Sequence, residues 1–302
     1  MQTSRKLLIS GYRYPAFPRK PSSYTTQQLA TVSGANYTTY TITEDGWYRI
    51  DVCGGAGGNS SSYQGGRGGA STQDVYLYQG MVCLLWSGSR GMPTSGVKGT
   101  CGYPGTQDNT FGGYGAKGHY MTMSGTSMTK IESGASGGGG CCSGITSSGD
   151  GSQNFGGGGA GSGFIAGFTD RTMPSQSFTC GSMTLGINRN LTIGSVVTYT
   201  CVPTYLVCGG GGGASSTRAN AKSGAGGGAF GSGGDVSNAQ VVAQAGPAGS
   251  WGKGGDGTSG NGNGGNGAWG FIDWSTNTTD YGTGGSLANV EGHSTLYKII
   301  PN

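Results

Sequence analysis

The chain has 302 residues, of which 69 are glycine, only 10% are charged, and the formal net charge is +4. Glycine and proline together make up about a quarter of the chain, twice their average share, which excludes an ordinary globular enzyme. Chains that stay disordered combine low hydrophobicity with high net charge. This chain has a low net charge and many tyrosines, so its composition does not match that of a disordered chain.

Residues 1–34 form a basic segment that differs in composition from the rest. Its prolines, Pro15, Pro18 and Pro21, disfavour regular structure, and the first acidic residue of the chain is Glu44. We predict an extended arm that either docks on a partner or is a floppy terminus, with residues 35–302 as a separate glycine-rich domain. The predicted docking residues are Arg5, Lys6, Arg13, Arg19 and Lys20.

Beyond the arm, strand-like runs alternate with glycine tracts. The clearest pair, 37–42 and 47–53, flanks a turn at 44–46 and predicts an antiparallel hairpin in which Tyr48, Ile50 and Val52 share one face. No stretch of ten or more residues has helical spacing, so we predict an all-β fold with many short strands. Further strands are predicted over 71–78, 81–86, 126–132, 183–185, 191–202, 205–208, 236–245, 271–274 and 295–300.

The glycine tracts show a repeat of three residues. Residues 54–59 and 65–70 each consist of two Gly-Gly-X triplets, and glycines recur at the same period, with one slip, within 252–270. Three residues per turn is the period of the polyglycine II helix, a left-handed extended helix whose N–H and C=O groups all point outward. The alternative is a set of flexible linkers, which would not need the aromatic residues found in or beside the tracts.

Signals for catalysis, metals and nucleic acid are weak. The chain has only two histidines, His119 and His293, and it has no Cys-x-x-Cys pair. Asn261, Asn263 and Asn266 stand where a calcium repeat would need acids. Basic and acidic residues nearly balance beyond the arm, which argues against nucleic-acid binding. We therefore expect no catalytic site, cofactor, metal or nucleic acid; whether the eight cysteines are thiols or disulfides stays open.

Aromatic residues next to turn-rich and glycine-rich stretches are the candidates for surface recognition, since such residues dominate adaptable binding surfaces. Each of them has scaffold packing as its alternative role. Carbohydrate or an outer-membrane protein would be the target. The predicted receptor-binding residues are Tyr103, Tyr114, His119, Tyr120, Trp251, Trp269, Trp274 and Tyr281.

Residues 46–58 (GWYRIDVCGGAGG), followed by Gly68-Gly69 and by 75–80 (VYLYQG), resemble a recurrent glycine-rich domain. That domain occurs in bacteriophage tail-fibre and adhesin proteins and in the ectodomains of anaplastic lymphoma kinase family receptors. The resemblance is specific over about residues 37–90 and compositional over 134–285. It implies a short-stranded jelly-roll or tumour-necrosis-factor-like β sandwich with an inserted bundle of polyglycine II helices, whose connecting loops contact a host receptor.

The resemblance implies a virion structural protein, a tail-fibre or spike adhesin. Such a protein would be made in the host cytoplasm and released by lysis, which agrees with an N-terminus where no apolar signal-like run follows Lys6. It would join other virion proteins through residues 1–34 and form a homo-oligomer such as a trimer. The alternative is a self-assembling extracellular filament subunit or a capsid decoration protein whose strand edges pair between copies.

Overall fold

A computed structural model describes residues 18–59, 63–91, 161–170, 197–212, 263–273, 278–283 and 290–302, with shorter pieces at 8–9, 12–13, 123–124, 127–128, 141–142, 159, 177–180, 183–186, 191–193, 221–222 and 285. Every regular element in these residues is a β-strand. The all-β prediction is therefore confirmed for this part of the chain. No helix long and apolar enough to cross a membrane is found in it.

Ten strands form two antiparallel sheets. They are β1 (Tyr24–Ser33), β2 (Asn36–Thr41), β3 (Gly46–Cys53), β4 (Ala70–Leu77), β5 (Val82–Ser87), β6 (Ser162–Phe168), β7 (Cys201–Cys208), β8 (Ala268–Asp273), β9 (Thr278–Thr283) and β10 (His293–Pro301). The six-stranded sheet has the order β9-β8-β7-β6-β5-β2, and the four-stranded sheet has the order β1-β10-β3-β4.

The remaining described strands form isolated two-stranded ladders. These pair Leu8–Ile9 with Tyr12–Arg13, Met123–Ser124 with Ser127–Met128, Cys141–Cys142 with Ala221–Lys222, Ser177–Cys180 with Met183–Gly186, and Leu191–Ile193 with Val197–Tyr199. The predicted strand over 236–245 lies outside the described residues.

The predicted hairpin of 37–42 and 47–53 is wrong. Strand β2 pairs with β5 in the six-stranded sheet, and β3 pairs with β4 and β10 in the other sheet. The β2–β5 contact continues beyond the strand, where the Ile42 N–H donates to the Met81 carbonyl at 2.8 Å. The turn after Ile42 therefore carries the chain between sheets. Alternation of side chains fixes which face is buried, but it does not fix which strand lies next to it.

The predicted faces of β3 are confirmed. Tyr48, Ile50 and Val52 are buried, whereas Trp47 and Arg49 are partly exposed. The buried face joins apolar side chains of the six-stranded sheet, so both sheets contribute to one hydrophobic core. The other members of this core include Val75 and Leu77 from β4, Leu85 from β5, Phe164 from β6, Leu206 from β7 and Phe271 from β8.

The strands inside the six-stranded sheet are buried on both faces. Every residue of β6 is buried, and so are Trp86 of β5 and Ile272 of β8. An added Cβ at Gly163 of β6 would overlap the indole ring of Trp86, so this glycine provides space for a core side chain. Two glycines within a seven-residue strand weaken its strand propensity, which explains why the sequence patterns miss β6.

Strand β1 consists of residues from the predicted arm. It pairs with β10 over its whole length, from Tyr24 opposite Pro301 to Ser33 opposite His293, with one irregularity at Leu29. No strand is predicted here from the sequence. Gly34, with φ of 66°, then turns the chain into β2, a conformation that glycine adopts without steric cost.

Candidate functional site

Four glycine-rich tracts extend from the same ends of paired strands. Tract 54–59 follows β3 and tract 63–69 precedes β4, and Cys53 and Ala70 lie opposite each other where the two tracts begin. Tract 209–212 follows β7 and tract 263–267 precedes β8, with Cys208 opposite Trp269. We call the assembly of these four tracts the glycine lattice. The sheets thus hold one end of every tract.

Backbone hydrogen bonds join the tracts at intervals of three residues. Gly54 and Gly57 donate to the carbonyls of Gly69 and Gly66, both at 2.8 Å. The same spacing joins two further pairs of tracts. Gly66 donates to Gly212 (2.7 Å) and Gly69 to Gly209 (2.8 Å), and Gly209 donates to Ala268 (2.7 Å) and Gly212 to Gly265 (2.8 Å).

The tracts bond in more than two directions. Tract 63–69 exchanges hydrogen bonds with each of the other three tracts, and tract 209–212 also reaches tract 54–59, where the Gly211 N–H donates to the Gly55 carbonyl at 2.9 Å. A strand of a β-sheet has hydrogen-bonded neighbours on two sides only. The glycine lattice is therefore not a continuation of either sheet.

Glycine is required in the lattice because the tracts lie very close together. An added Cβ at Gly54 would clash with the carbonyl oxygen of Gly209, and one at Gly66 would clash with that of Gly265. Both contacts would be shorter than real Cβ atoms make. The only described glycines with positive φ are Gly34 and Gly80, outside the lattice. Close approach of backbones, and not a positive φ, thus explains why glycine occupies these positions.

Two asparagine side chains of tract 263–267 accept hydrogen bonds from the backbone of tract 63–69. The Asn263 Oδ1 accepts from the Gln64 N–H at 2.9 Å, while the Gly264 N–H donates to the Gln64 carbonyl at 3.0 Å. The arrangement repeats three residues later: the Asn266 Oδ1 accepts from the Arg67 N–H at 2.9 Å, and Gly267 donates to the Arg67 carbonyl at 2.7 Å. Gln64, Arg67, Asn263 and Asn266 are all exposed. We call these four side chains the amide face.

From the sequence, these asparagines are notable only because they stand where a calcium repeat would need acids. In the structure their amide oxygens accept from backbone N–H groups. The signal that would have found them is the Asn-Gly dipeptide repeated at 263–264 and 266–267, in register with the triplet period of the glycines. Among the described residues, no group of three or more His, Cys, Asp or Glu is arranged to hold a metal ion.

Two long segments are connected to the lattice. Segment 92–158 begins after Gly91, which donates to the Ala56 carbonyl, and ends before Gly159, which donates to Gly211. Segment 213–262 runs from the end of tract 209–212 to the beginning of tract 263–267. Apart from the short ladders at 123–128 and between 141–142 and 221–222, both segments lie outside the described residues, as do Arg5, Lys6 and Trp274. Tyr103, Tyr114, His119 and Tyr120 belong to the first segment, and Trp251 belongs to the second.

Two predicted receptor-binding residues are described, and they do not form one site. Trp269 in β8 is partly buried and packs against the core. Tyr281 in β9 is 51% exposed. Trp269 lies opposite Gly282 and Tyr281 opposite Gly270, so the two aromatic side chains belong to opposite faces of the sheet.

The described end of the N-terminal arm is attached to the four-stranded sheet. Lys20 forms an ion pair with Asp74 at 2.7 Å, and the Trp47 Nε1 donates to the Pro18 carbonyl at 2.9 Å. Burial favours the neutral form of Asp74, but hydrogen bonds from Arg49 and Lys20 outweigh it and lower the pKa of this carboxyl. Lys20 is thus engaged within its own domain. The other described docking residues are Arg19, which is exposed, and Arg13, which lies in the first short ladder.

Other titratable groups lie near the base of the lattice. Asp51 on β3 lies 3.4 Å from the His293 Nε2, and it accepts from the Thr72 hydroxyl at 2.9 Å. The hydrogen bond with His293 is the main cause that lowers the pKa of Asp51, with a smaller contribution from Thr72, against the opposing effect of burial. Cys53 is a buried thiol, and burial raises its pKa to about 11. A thiol of this kind is protonated at neutral pH and packs as a small apolar side chain.

No protein-family model matches the sequence, and no curated protein shows significant similarity to it.

Proposed function

We propose that the protein is a virion structural protein, a tail-fibre or spike adhesin, whose lattice is a bundle of polyglycine II helices rooted in a jelly-roll or tumour-necrosis-factor-like β sandwich. The observation that carries the proposal is the triplet-spaced hydrogen bonding of tract 63–69 with three neighbours. A helix with three residues per turn presents its N–H and C=O groups in three directions, which a strand cannot do.

The exit points of the two long segments support an adhesin. Segment 92–158 starts and ends next to glycines that bond to the lattice, and segment 213–262 connects two of its tracts; together the segments carry five of the eight predicted receptor contacts. Holding the ends of a binding loop on a rigid support lowers the entropy that the loop loses on binding. Host polysaccharide or an outer-membrane protein would be the ligand, and other virion proteins would bind the opposite end of the chain.

We propose that residues 1–17 are the removable part of the predicted docking arm 1–34, because residues 18–33 are attached to the domain. Within that segment the basic side chains are Arg5, Lys6 and Arg13. Residues 24–33 supply a strand to the domain, and Lys20 is ion-paired with Asp74. A docking experiment therefore has to remove residues 1–17 and keep the rest.

Two variants test the proposal. A chain without residues 1–17 is expected to bind cells of the particle's host as the full chain does, but to be absent from purified particles. A chain in which a short Gly-Ser linker replaces residues 92–158 is expected to join particles and to lose cell binding. If the chain without residues 1–17 lost cell binding but still joined particles, residues 1–17 would be the part that binds the host and not the part that docks on the particle. A polymer of regular repeat in electron micrographs of the isolated protein would favour the filament subunit instead.

A further inference from the structure

We propose that the amide face of the lattice binds an anionic linear polysaccharide. The inference rests on the proposed function, in which a host surface polymer is a ligand, and it adds a chemical class and a second binding place apart from the long segments. It is carried by four exposed side chains with hydrogen-bond donors, at repeated positions on two neighbouring tracts.

The asparagines of the amide face are fixed before any ligand binds. The Oδ1 of Asn263 and the Oδ1 of Asn266 each accept a backbone N–H at 2.9 Å. Their Nδ2 groups donate to no group among the residues that the structure describes, and both side chains are exposed. A ligand that accepts hydrogen bonds from these amides does not have to immobilise the asparagine side chains. Binding therefore costs less side-chain conformational entropy.

The charge of the face favours an anion. Arg67 is exposed, and the one hydrogen bond of its guanidinium within the described structure runs from Nη1 to the Gly285 carbonyl at a long 3.3 Å. No carboxylate pairs with it in that part of the chain. Guanidinium groups bind carboxylates and sulfates through paired, charge-assisted hydrogen bonds. Gln64 and the exposed Tyr63 next to it add a neutral donor and a ring at the same place.

The spacing of the face favours a polymer over a single small ion. Equivalent donors recur every three residues, a distance of about 9 Å at a rise of roughly 3.1 Å per residue. Between them lie glycines, which leave no side chain to block an extended ligand. A linear chain with one acidic group per repeat unit can therefore contact both asparagines and Arg67 at once, whereas a compact anion would reach one repeat only.

The test replaces donors while it keeps the lattice. In Asn263→Asp/Asn266→Asp, each side chain retains the oxygen that accepts the backbone N–H, but the Nδ2 donor becomes a negative oxygen. We expect this variant to bind polygalacturonate at least about tenfold more weakly than the full-length wild type in titration calorimetry at low salt. Arg67→Gln, which leaves both backbone contacts of tract 263–267 in place, is expected to lose about tenfold as well.

A matched control is Asn36→Asp. Asn36 also uses its Oδ1 to accept a neighbouring N–H, that of Tyr37, at 2.8 Å, but it lies at the edge of a sheet. This variant changes the charge in the same sense, and it is expected to bind polygalacturonate as the wild type does.

Three results would overturn the inference: no binding of polygalacturonate by the wild type, equal binding of neutral dextran, or wild-type affinity in Arg67→Gln and in the double variant. Binding of host cells without any affinity for polygalacturonate would remove this inference and leave the adhesin. Should the double variant unfold, Arg67→Gln decides alone, because no backbone contact of the lattice depends on its side chain.

Discussion

A single methyl group is expected to disrupt the lattice. In Gly66→Ala the added Cβ would collide with the backbone of Gly265, which cannot move without breaking its bond from Gly212. Overpacking of this kind costs about 1–3 kcal/mol or more. Gly46→Ala is the control, because an added Cβ there meets only the Tyr48 ring at an ordinary 3.7 Å. Urea unfolding should show a change below about 1 kcal/mol for the control; equal losses in both variants would contradict the close approach.

The ion pairs of Asp74 predict how stability depends on pH. The net effect of its surroundings lowers the pKa of Asp74 in the folded state below the ordinary 3.8. A lowered carboxyl pKa stabilises the fold above the unfolded-state pKa, and this stabilisation is lost as the pH falls through the folded-state value. We expect Asp74→Asn to be less stable at neutral pH and to lose less stability between about pH 5 and about pH 2. If urea unfolding showed that the free energies of unfolding of the wild type and of Asp74→Asn change equally with pH, this prediction would be refuted.

At the scale of the elements, both edge strands of the six-stranded sheet contain a backbone N–H that donates to the side chain of the preceding residue. On β2 the Tyr37 N–H donates to the Asn36 Oδ1 at 2.8 Å, and on β9 the Tyr281 N–H donates to the Asp280 Oδ1 at 2.9 Å. Edge N–H groups are the groups to which another strand would bind. A side chain that occupies them reduces the tendency of the edge to pair with a second copy.

Removal of these side-chain acceptors is expected to promote association. In Asn36→Ala/Asp280→Ala, each edge strand loses the side-chain oxygen that accepts its tyrosine N–H, so one feature that competes with pairing to a strand of another molecule is removed. Analytical ultracentrifugation should show larger species at concentrations where the wild type is unchanged. Asn36→Asp keeps an acceptor oxygen and is the control. Unchanged sedimentation of the double alanine variant would mean that other features protect these edges.

The sequence predicts elements better than it predicts their neighbours. Alternation identifies β3 and its buried face, because Tyr48, Ile50 and Val52 follow the period of two. It cannot show that β2 pairs with β5, since that pairing depends on residues distant in sequence. The strand β1 is missed because the prolines before it and its place within a basic segment favour a terminal arm.

For the whole molecule, the N-terminal residues divide into a removable and an essential part. Deletion of residues 1–17 keeps the Pro18 carbonyl that accepts from Trp47, the Lys20–Asp74 ion pair and β1. Deletion of residues 1–34 removes one of the two partner strands of β10, which contains the buried Leu296 and Ile299. We expect a near-wild-type Tm for the first deletion and a lowered Tm or an insoluble chain for the second. Equal Tm values would show that β1 contributes little to the domain.

The period of three in the glycine tracts is the sequence feature with the largest structural consequence. Composition alone favours linkers as much as order, and the triplet spacing, with the aromatic residues in or beside the tracts, distinguishes the two. The partners of each tract could not be predicted, because Gly54 and Gly69 or Gly66 and Gly212 have no side chains that encode a choice. The sheets determine these partners: Cys53 lies opposite Ala70 and Cys208 opposite Trp269, so the tracts are aligned where they begin.

This dependence predicts that the lattice and the sheets open together. Separating tract 63–69 breaks bonds to three other tracts, so the N–H groups of Gly54, Gly57, Gly66 and Gly69 should be released only in a large unfolding event. In native-state hydrogen exchange we expect these four amides to be protected as strongly as those of β10. Exchange at the rate of an unstructured chain would identify the tracts as linkers. The rigid support on which the adhesin proposal depends would then be absent.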